Sequence, residues 1–273
     1  MATIERAIGT SLLRSGLCTQ AQLESPVFQA WGQKLRQQPK RLHRKVWEYC
    51  YISQALQERQ MLQLGKRGIG FAVGLEPLAA LFASYGCEVL GTDLEPNEAA
   101  EKGWVNTNQH AASMTELNKL GLCPPDQFDQ LVSFRYVDMR ALPDDLGTAD
   151  FIWSACSFEH LGNLEEGLQF VVNSARLLRP GGVAVHTTEF NVSSNDKTVA
   201  DGGVVIYRRQ DIEDVAARLE QDGYLVDLDF TDGTLPGDAY VDQYPFKGEV
   251  HLKLDLWGHT ATSYGLIIHA PVA

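Results

Sequence analysis

The chain has 273 residues, 44% of them hydrophobic and only 11 of them proline, which allows a full core and argues against extended disorder. Its net charge of -12 is unevenly divided: residues 1–67 hold 11 Lys/Arg against 4 Asp/Glu, and the remainder holds 12 against 31. The acidic remainder would repel phosphate backbones, no run of about 18 uncharged apolar residues offers a membrane span, and five scattered cysteines without a Cys-x-x-Cys pair fit reduced thiols in the cytoplasm.

Taken in chain order, Pro26 to Leu64 has no strand-like alternation, and the spacing of Trp31, Leu35, Leu42, Val46, Tyr49, Ile52 and Leu56 predicts helices with one apolar stripe. Residues 1–66 therefore read as a helical N-terminal extension, a cap or an interface. Its basic cluster, Lys34, Arg36, Lys40, Arg41, Arg44 and Lys45, is of a kind that can bind nucleic acid but more often forms a solvated face or docks on an acidic neighbour. From residue 67 to 273 the pattern changes. Apolar or β-branched runs at 68–73, 87–92, 131–137, 149–155 and 182–188 alternate with helical patterns, which predicts an α/β domain with a mostly parallel sheet covered on both faces.

Pro77 and Gly86 bracket a helix over 78–85, and Asn163 with Glu166 opens another that stops before Arg179-Pro180-Gly181-Gly182. A further helix spans Asp211 to Gln221, and the runs 251–257 and 263–270 predict an antiparallel strand pair.

The first strand enters Gly70-Phe71-Ala72-Val73-Gly74-Leu75-Glu76-Pro77, a small-residue turn that lets backbone approach a ligand closely. Asp93 follows Gly74 by 19 residues, near the spacing of about 20 at which an acid ending the second strand reaches ribose hydroxyls. Glu76 stands at the helix start, where a pyrophosphate would need the positive end of the helix dipole. Its carboxylate would repel a dinucleotide and accept a cofactor bearing ammonium and sulfonium charges, which favours S-adenosylmethionine over NAD.

Residues 67–190 resemble class I, Rossmann-like S-adenosylmethionine-dependent methyltransferases. The resemblance rests on elements in family order: the glycine turn, Thr92-Asp93-Leu94, Val137-Asp138-Met139, Ala149 to Ser154, Glu159-His160-Leu161, and Leu177 to Gly182. It implies a seven-stranded sheet, ribose held by Asp93, adenine packed on Leu94 with its amine given to Asp138 beside Met139, and Ser154 at the turn to the methyl-transfer site. The family pattern opens the turn with an acid and has glycines where Ala72 and Glu76 stand; Gly70 replaces that acid, so contacts to the methionine end must differ. The segment His186 to Asn191 and the tail are similar to bacterial methyltransferases associated with glycan assembly.

Methyl transfer from a sulfonium is an in-line displacement that needs alignment, exclusion of water and, for a hydroxyl acceptor, a base. His186, His160 and Glu189 lie beyond the later strands and are the candidates, with Glu189 near enough in sequence to His186 to orient it. No sequence pattern fixes a metal. The tail residues Asp229, Asp232, Asp238, Asp242, Tyr240, Tyr244 and Phe246 fit an acceptor loop for a small-molecule or saccharide substrate. The competing readings are a nucleic-acid methyltransferase using the basic helices and a non-catalytic cofactor-binding module; the oligomeric state is left open.

Overall fold

The computed structural model describes residues 12–37, 41–101 and 113–272. It begins with β1 (Gly16–Leu17), α1 (Gln20–Glu24), α2 (Pro26–Lys34), β2 (Leu42–His43) and α3 (Arg44–Glu58). Thr19 and Ser25 cap α1 and α2 with their hydroxyls, and Pro26 starts α2 where its missing N–H leaves nothing unpaired. Next come β3 (Arg67–Gly70), α4 (Leu78–Ser84), β4 (Glu88–Asp93), α5 (Pro96–Glu101), α6 (Pro125–Leu131), β5 (Val132–Tyr136), β6 (Ala149–Ala155), α7 (Leu164–Ala175) and β7 (Leu178–Asn191). The remainder is α8 (Arg209–Gln221), β8 (Leu225–Val226), α9 (Pro236–Ala239), β9 (Val241–Asp242), β10 (Val250–His251), β11 (Lys253–Leu256) and β12 (His259–His269).

The main sheet runs in the order β5-β4-β3-β6-β7-β12-β11-β9, with β1 and β8 also paired to β12. Its first five strands are parallel, and β12 is antiparallel to both β7 and β11. The expected seven strands are present, and three two-residue strands, β1, β8 and β9, bring the described total to ten. Strands that short cannot display an alternating pattern. The strand order reverses between β3 and β6, and open α/β sheets bind ligands beyond the carboxyl ends at such a switch point.

The N-terminal helices pack against the body of the domain. Trp47, Cys50, Tyr51, Ile52, Ala55 and Leu56 of α3 are fully buried in one cluster with Leu78, Phe82, Phe151 and Trp153, so the boundary read at 66/67 is not a boundary of packing. Tyr51 lies over Gly265 of β12, where a Cβ would come 2.2 Å from its ring, and its hydroxyl donates to the Gly265 and Arg14 carbonyls. Only glycine allows that approach.

The basic cluster is dispersed over separate partners. Lys34 reaches the Tyr85 hydroxyl, Arg36 the Leu120 and Gly121 carbonyls, and Arg41 the Gly248 carbonyl, while Lys40 lies outside the described residues. The tail acids are likewise taken up in the fold. Asp238 accepts from the Gln20 and Leu235 N–H groups, Asp242 from Lys247, Gly248 and His251, and Asp229 and Asp232 pair with Arg14 and Lys253. Tyr240, Tyr244 and Phe246 point outward. No described helix is long and apolar enough to cross a membrane.

Candidate active site

Two groups of buried acids stand at the carboxyl ends of the parallel strands. The first surrounds the turn after β3, where Ala72 and Gly74 both adopt left-handed backbone, φ 47° and 49°. Thr92 ties the turn to β4 by donating to the Gly70 carbonyl at 2.9 Å, and Val73 N–H donates to the Thr92 carbonyl. Asp93 completes the closure: its carboxylate accepts from Gly74 N–H at 3.1 Å and from Leu94 N–H at 2.8 Å. Glu76 is 6% exposed and accepts a 2.6 Å hydrogen bond from the Trp153 indole. Burial pushes its carboxyl up to about 8, against the pull of that indole and of Lys45. Trp153 is the register partner of Gly70, and a Cβ on Gly70 would come 2.3 Å from the indole.

The remaining residues expected at the cofactor are spread along neighbouring strand ends. Leu94 is half-buried and Met139 is buried beside Val137. Both oxygens of Asp138 accept from Arg140, so an adenine amine would compete with a guanidinium there. Ser154 is not at a turn: it is fully buried within β6, and its hydroxyl meets Nδ1 of His186 at 2.8 Å. The strand continues one residue beyond Ser154, and Cys156, with φ 47°, begins the turn instead.

His186 and Glu189 do not form a pair. Three residues apart on β7, they point to opposite faces of the sheet. His186 is fully buried against the edges of Phe158 and Phe170, which pushes its pKa down to about 3. His160 is also pushed down, to about 4, by burial, and its ring is held at 2.8 Å from the Gly203 carbonyl.

Glu189 faces α3, where it forms an ion pair with Arg44. One turn along the helix, Glu48 is fully buried, paired with Lys45 at 2.6 Å and bonded by Ser263, the register partner of Glu189. Burial pulls Glu48 up, but Lys45 and Arg44 outweigh it and hold the carboxyl below its usual range. Glu159, on the turn beyond β6, completes this second group. It is fully buried and accepts from Thr188 at 3.1 Å, and burial, aided by Glu189, pushes it up to about 8. Arg44 Nη1, Glu159 Oε1, Glu189 Oε2 and Ser157 Oγ are buried without a hydrogen-bond partner. Ligand-type atoms of Cys156, Glu159 and Glu189 lie within 4.8 Å of one another, a cluster assembled from two strand ends that no sequence spacing reveals.

Residues 68–186, covering the turn, both carboxylates Glu76 and Asp93 and Glu159, match the family described as methyltransferase domain. Residues 68–186 thus form an S-adenosylmethionine-dependent methyltransferase domain, on a Rossmann-like fold. No curated protein matches it by sequence. Among solved structures, the methyltransferase superposes on the (4+2)-cyclase SpnF with a TM-score of 0.52 at 15% identity, over 81% of this chain and 83% of that one, a likeness of fold. It is also similar to a putative sarcosine dimethylglycine methyltransferase from Galdieria sulphuraria (TM-score 0.48, 14% identity, 90% and 99% covered). A third similar structure is magnesium protoporphyrin IX methyltransferase from Synechocystis PCC 6803 with bound S-adenosylhomocysteine (0.49, 12%, 83% and 83%).

The methyltransferase's own residues suit its cofactor. Glu76 is a buried carboxyl destabilised in its charged form, which the ammonium or sulfonium of S-adenosylmethionine would relieve and a pyrophosphate would aggravate. No sequence spacing marks Glu159, Arg44, Glu48 or Trp153 as a site residue. Glu159 belongs to the resembling Glu159-His160-Leu161 element and Arg44 to the basic cluster, whereas nothing marks Glu48.

Proposed function

We propose that the methyltransferase transfers the methyl of S-adenosylmethionine to a hydroxyl of a small-molecule or saccharide acceptor held between α3 and the ends of β6 and β7. One observation carries this reading: the partnerless buried atoms there include a donor, Arg44 Nη1, acceptors on Glu159 and Glu189, and Ser157 Oγ, which can do either. A hydroxyl both donates and accepts, so it satisfies such a mixed set. An anion would leave the carboxylates unpaired, and an ammonium would leave the guanidinium unpaired.

S-adenosylmethionine, when bound, supplies an electrophilic methyl on a sulfonium. In this reading Asp93 takes the ribose hydroxyls, Leu94 and Met139 border the adenine, Asp138 meets its amine, and the small residues Gly70, Ala72 and Gly74 give the cofactor room. Arg44 and Glu189 orient the acceptor. Glu159 takes the acceptor proton at Oε1, a role suited to a carboxyl raised to about 8, since proton transfer is most effective when the pKa lies near the working pH. This places the base on Glu159, not on His186 or His160. A second reading, a divalent ion on Cys156, Glu159 and Glu189, is favoured by their 4.8 Å clustering but sets a cation beside Arg44. Nucleic acid as acceptor gains nothing from the dispersed basic cluster. The five free cysteines support a cytoplasmic protein.

Transfer of labelled methyl from S-adenosylmethionine to panels of polyols, sugars and amines tests the proposal. O-methyl products, formed at a rate that climbs with pH through about 8, are expected. N-methyl products would overturn the hydroxyl assignment, and loss of turnover with a chelator would favour the metal reading.

A further inference from the structure

We infer that Glu76, held by the Trp153 indole, is the residue that binds the α-ammonium of the cofactor's methionine end. The inference rests on the cofactor's being S-adenosylmethionine and is independent of the acceptor. Its basis is how the turn after β3 is built. At Gly70 no side chain can be accommodated, because the ring of its register partner Trp153 occupies the space: a Cβ would stand 2.3 Å from the indole and 2.5 Å from Val73. The strand end therefore offers no acid of its own. The indole N–H instead crosses from β6 to Glu76, six residues further along the chain, at 2.6 Å. Glu76 is thereby fixed at the β3/β6 switch point, beside the turn that Asp93 closes through Gly74 N–H.

A carboxyl in that position is costly without a ligand. It is 6% exposed, and the Trp153 N–H it accepts from carries no charge. Lys45 acts on it from α3 and lowers its pKa, while Glu48 and Asp93 raise it, and burial outweighs them all. A buried carboxylate is best stabilised by a partner of opposite charge. The adenosine half is held near Asp93, so the cofactor group that reaches the helix start is the amino-acid end, whose ammonium is the matching charge. Glu76 then binds ionised: at pH below about 8 its carboxyl gives a proton to solvent as the cofactor enters, and the carboxylate forms the contact. Trp153 acts as a positioning residue, setting the carboxylate's place and favouring its ionised form.

Titration calorimetry of the full chain with S-adenosylmethionine and S-adenosylhomocysteine, between pH 6 and 9 and in buffers of different ionisation heat, tests this without any acceptor. In the wild type, affinity is expected to rise with pH towards about 8 and to fall again as the ligand's own α-ammonium loses its proton, with close to one proton released per cofactor at pH 7. Glu76→Gln keeps an oxygen for the indole and so preserves the fold. It should bind both ligands at least tenfold more weakly at pH 8, by the same factor for each, with the rise towards pH 8 and the proton release abolished. Trp153→Phe removes the N–H and should move the midpoint of the wild-type pH dependence upward while leaving proton release in place. Unchanged affinity and proton release in a folded Glu76→Gln would overturn the inference. Weakening confined to S-adenosylmethionine would overturn it too, since the two ligands share the ammonium and differ in the sulfonium.

Discussion

The two groups of buried acids are stabilised by different means. At the cofactor turn, Asp93 accepts from the Gly74 and Leu94 N–H groups, and Glu76 accepts from the uncharged Trp153 indole. Beyond β6 and β7, Glu189 and Glu48 rest on Arg44 and Lys45, cations brought in by α3. A neutral donor orients the Glu76 carboxyl without supplying the opposite charge that its ionised form needs, so that form favours a cationic ligand. Ion pairing cancels charge and leaves hydrogen-bonding directions, so the second group favours a neutral polar ligand. The carboxyl end of one sheet thus presents two chemically distinct groups of acids, the division on which the proposed transfer rests.

The sharpest way to break that division is Glu159→Gln. Turnover is expected to fall on the order of a hundredfold to ten-thousandfold while S-adenosylmethionine affinity stays within a factor of two or so. Single-turnover kinetics and calorimetry read the two separately, and a parallel loss of affinity would merge the two groups. Next in size is Arg44→Leu, which leaves Glu189 buried and unpaired. Breaking such a pair costs about 3–5 kcal/mol, measurable by denaturant unfolding. The double variant Arg44→Leu, Glu189→Leu should recover most of that stability and still show a raised acceptor KM; recovery of both would reduce the pair to a structural role.

The pH dependence of stability sharpens the same contrast. Glu76 and Glu159 titrate near 8 in the folded protein against 4.5 when free, so the unfolded chain gives up their protons first. Their contribution is fully present below pH 4.5 and is lost as pH rises through 8. The cofactor-free protein should therefore lose thermal stability across that window. Glu76→Gln, Glu159→Gln should flatten the profile and melt several degrees higher at pH 8, at roughly 2–4 °C per kcal/mol. A double variant that melts lower would show both carboxylates already compensated. The smallest effect on turnover belongs to His186→Gln, which should lose stability yet keep turnover within a few-fold of wild type. A hundredfold loss in a folded variant would return the base to His186.

How much of this could be read from the sequence depends on chain separation. The turn, Gly74 and Asp93 lie within one βαβ unit, 19 residues apart, and local spacing carries them. The bond from Trp153 to Glu76 joins residues 77 apart, and nothing in either neighbourhood announces it. The α3 stripe is legible as a helix, but periodicity states that a face is buried and not which surface it meets, so the sequence does not show that Arg44 and Glu48 meet Glu189 and Ser263. The pairing of His186 with Glu189 was the reverse case. Closeness in sequence suggested it, although the period of two in a strand already placed those side chains on opposite faces. The resemblance implies a turn at Ser154, whereas the apolar run 149–155 already holds that residue inside the strand, where the structure has it.

The contact of Tyr51 with Gly265 also bears on how the protein is made. The two residues stand 214 positions apart, and β1 finds its partner on the same strand, β12. At about 5–20 residues per second, α3 leaves the ribosome roughly 10–40 seconds before the strand it packs on exists. Through that interval its stripe of Trp47, Tyr51, Ile52 and Leu56 has no β12 to cover it, so this part of the core closes only when synthesis is nearly complete.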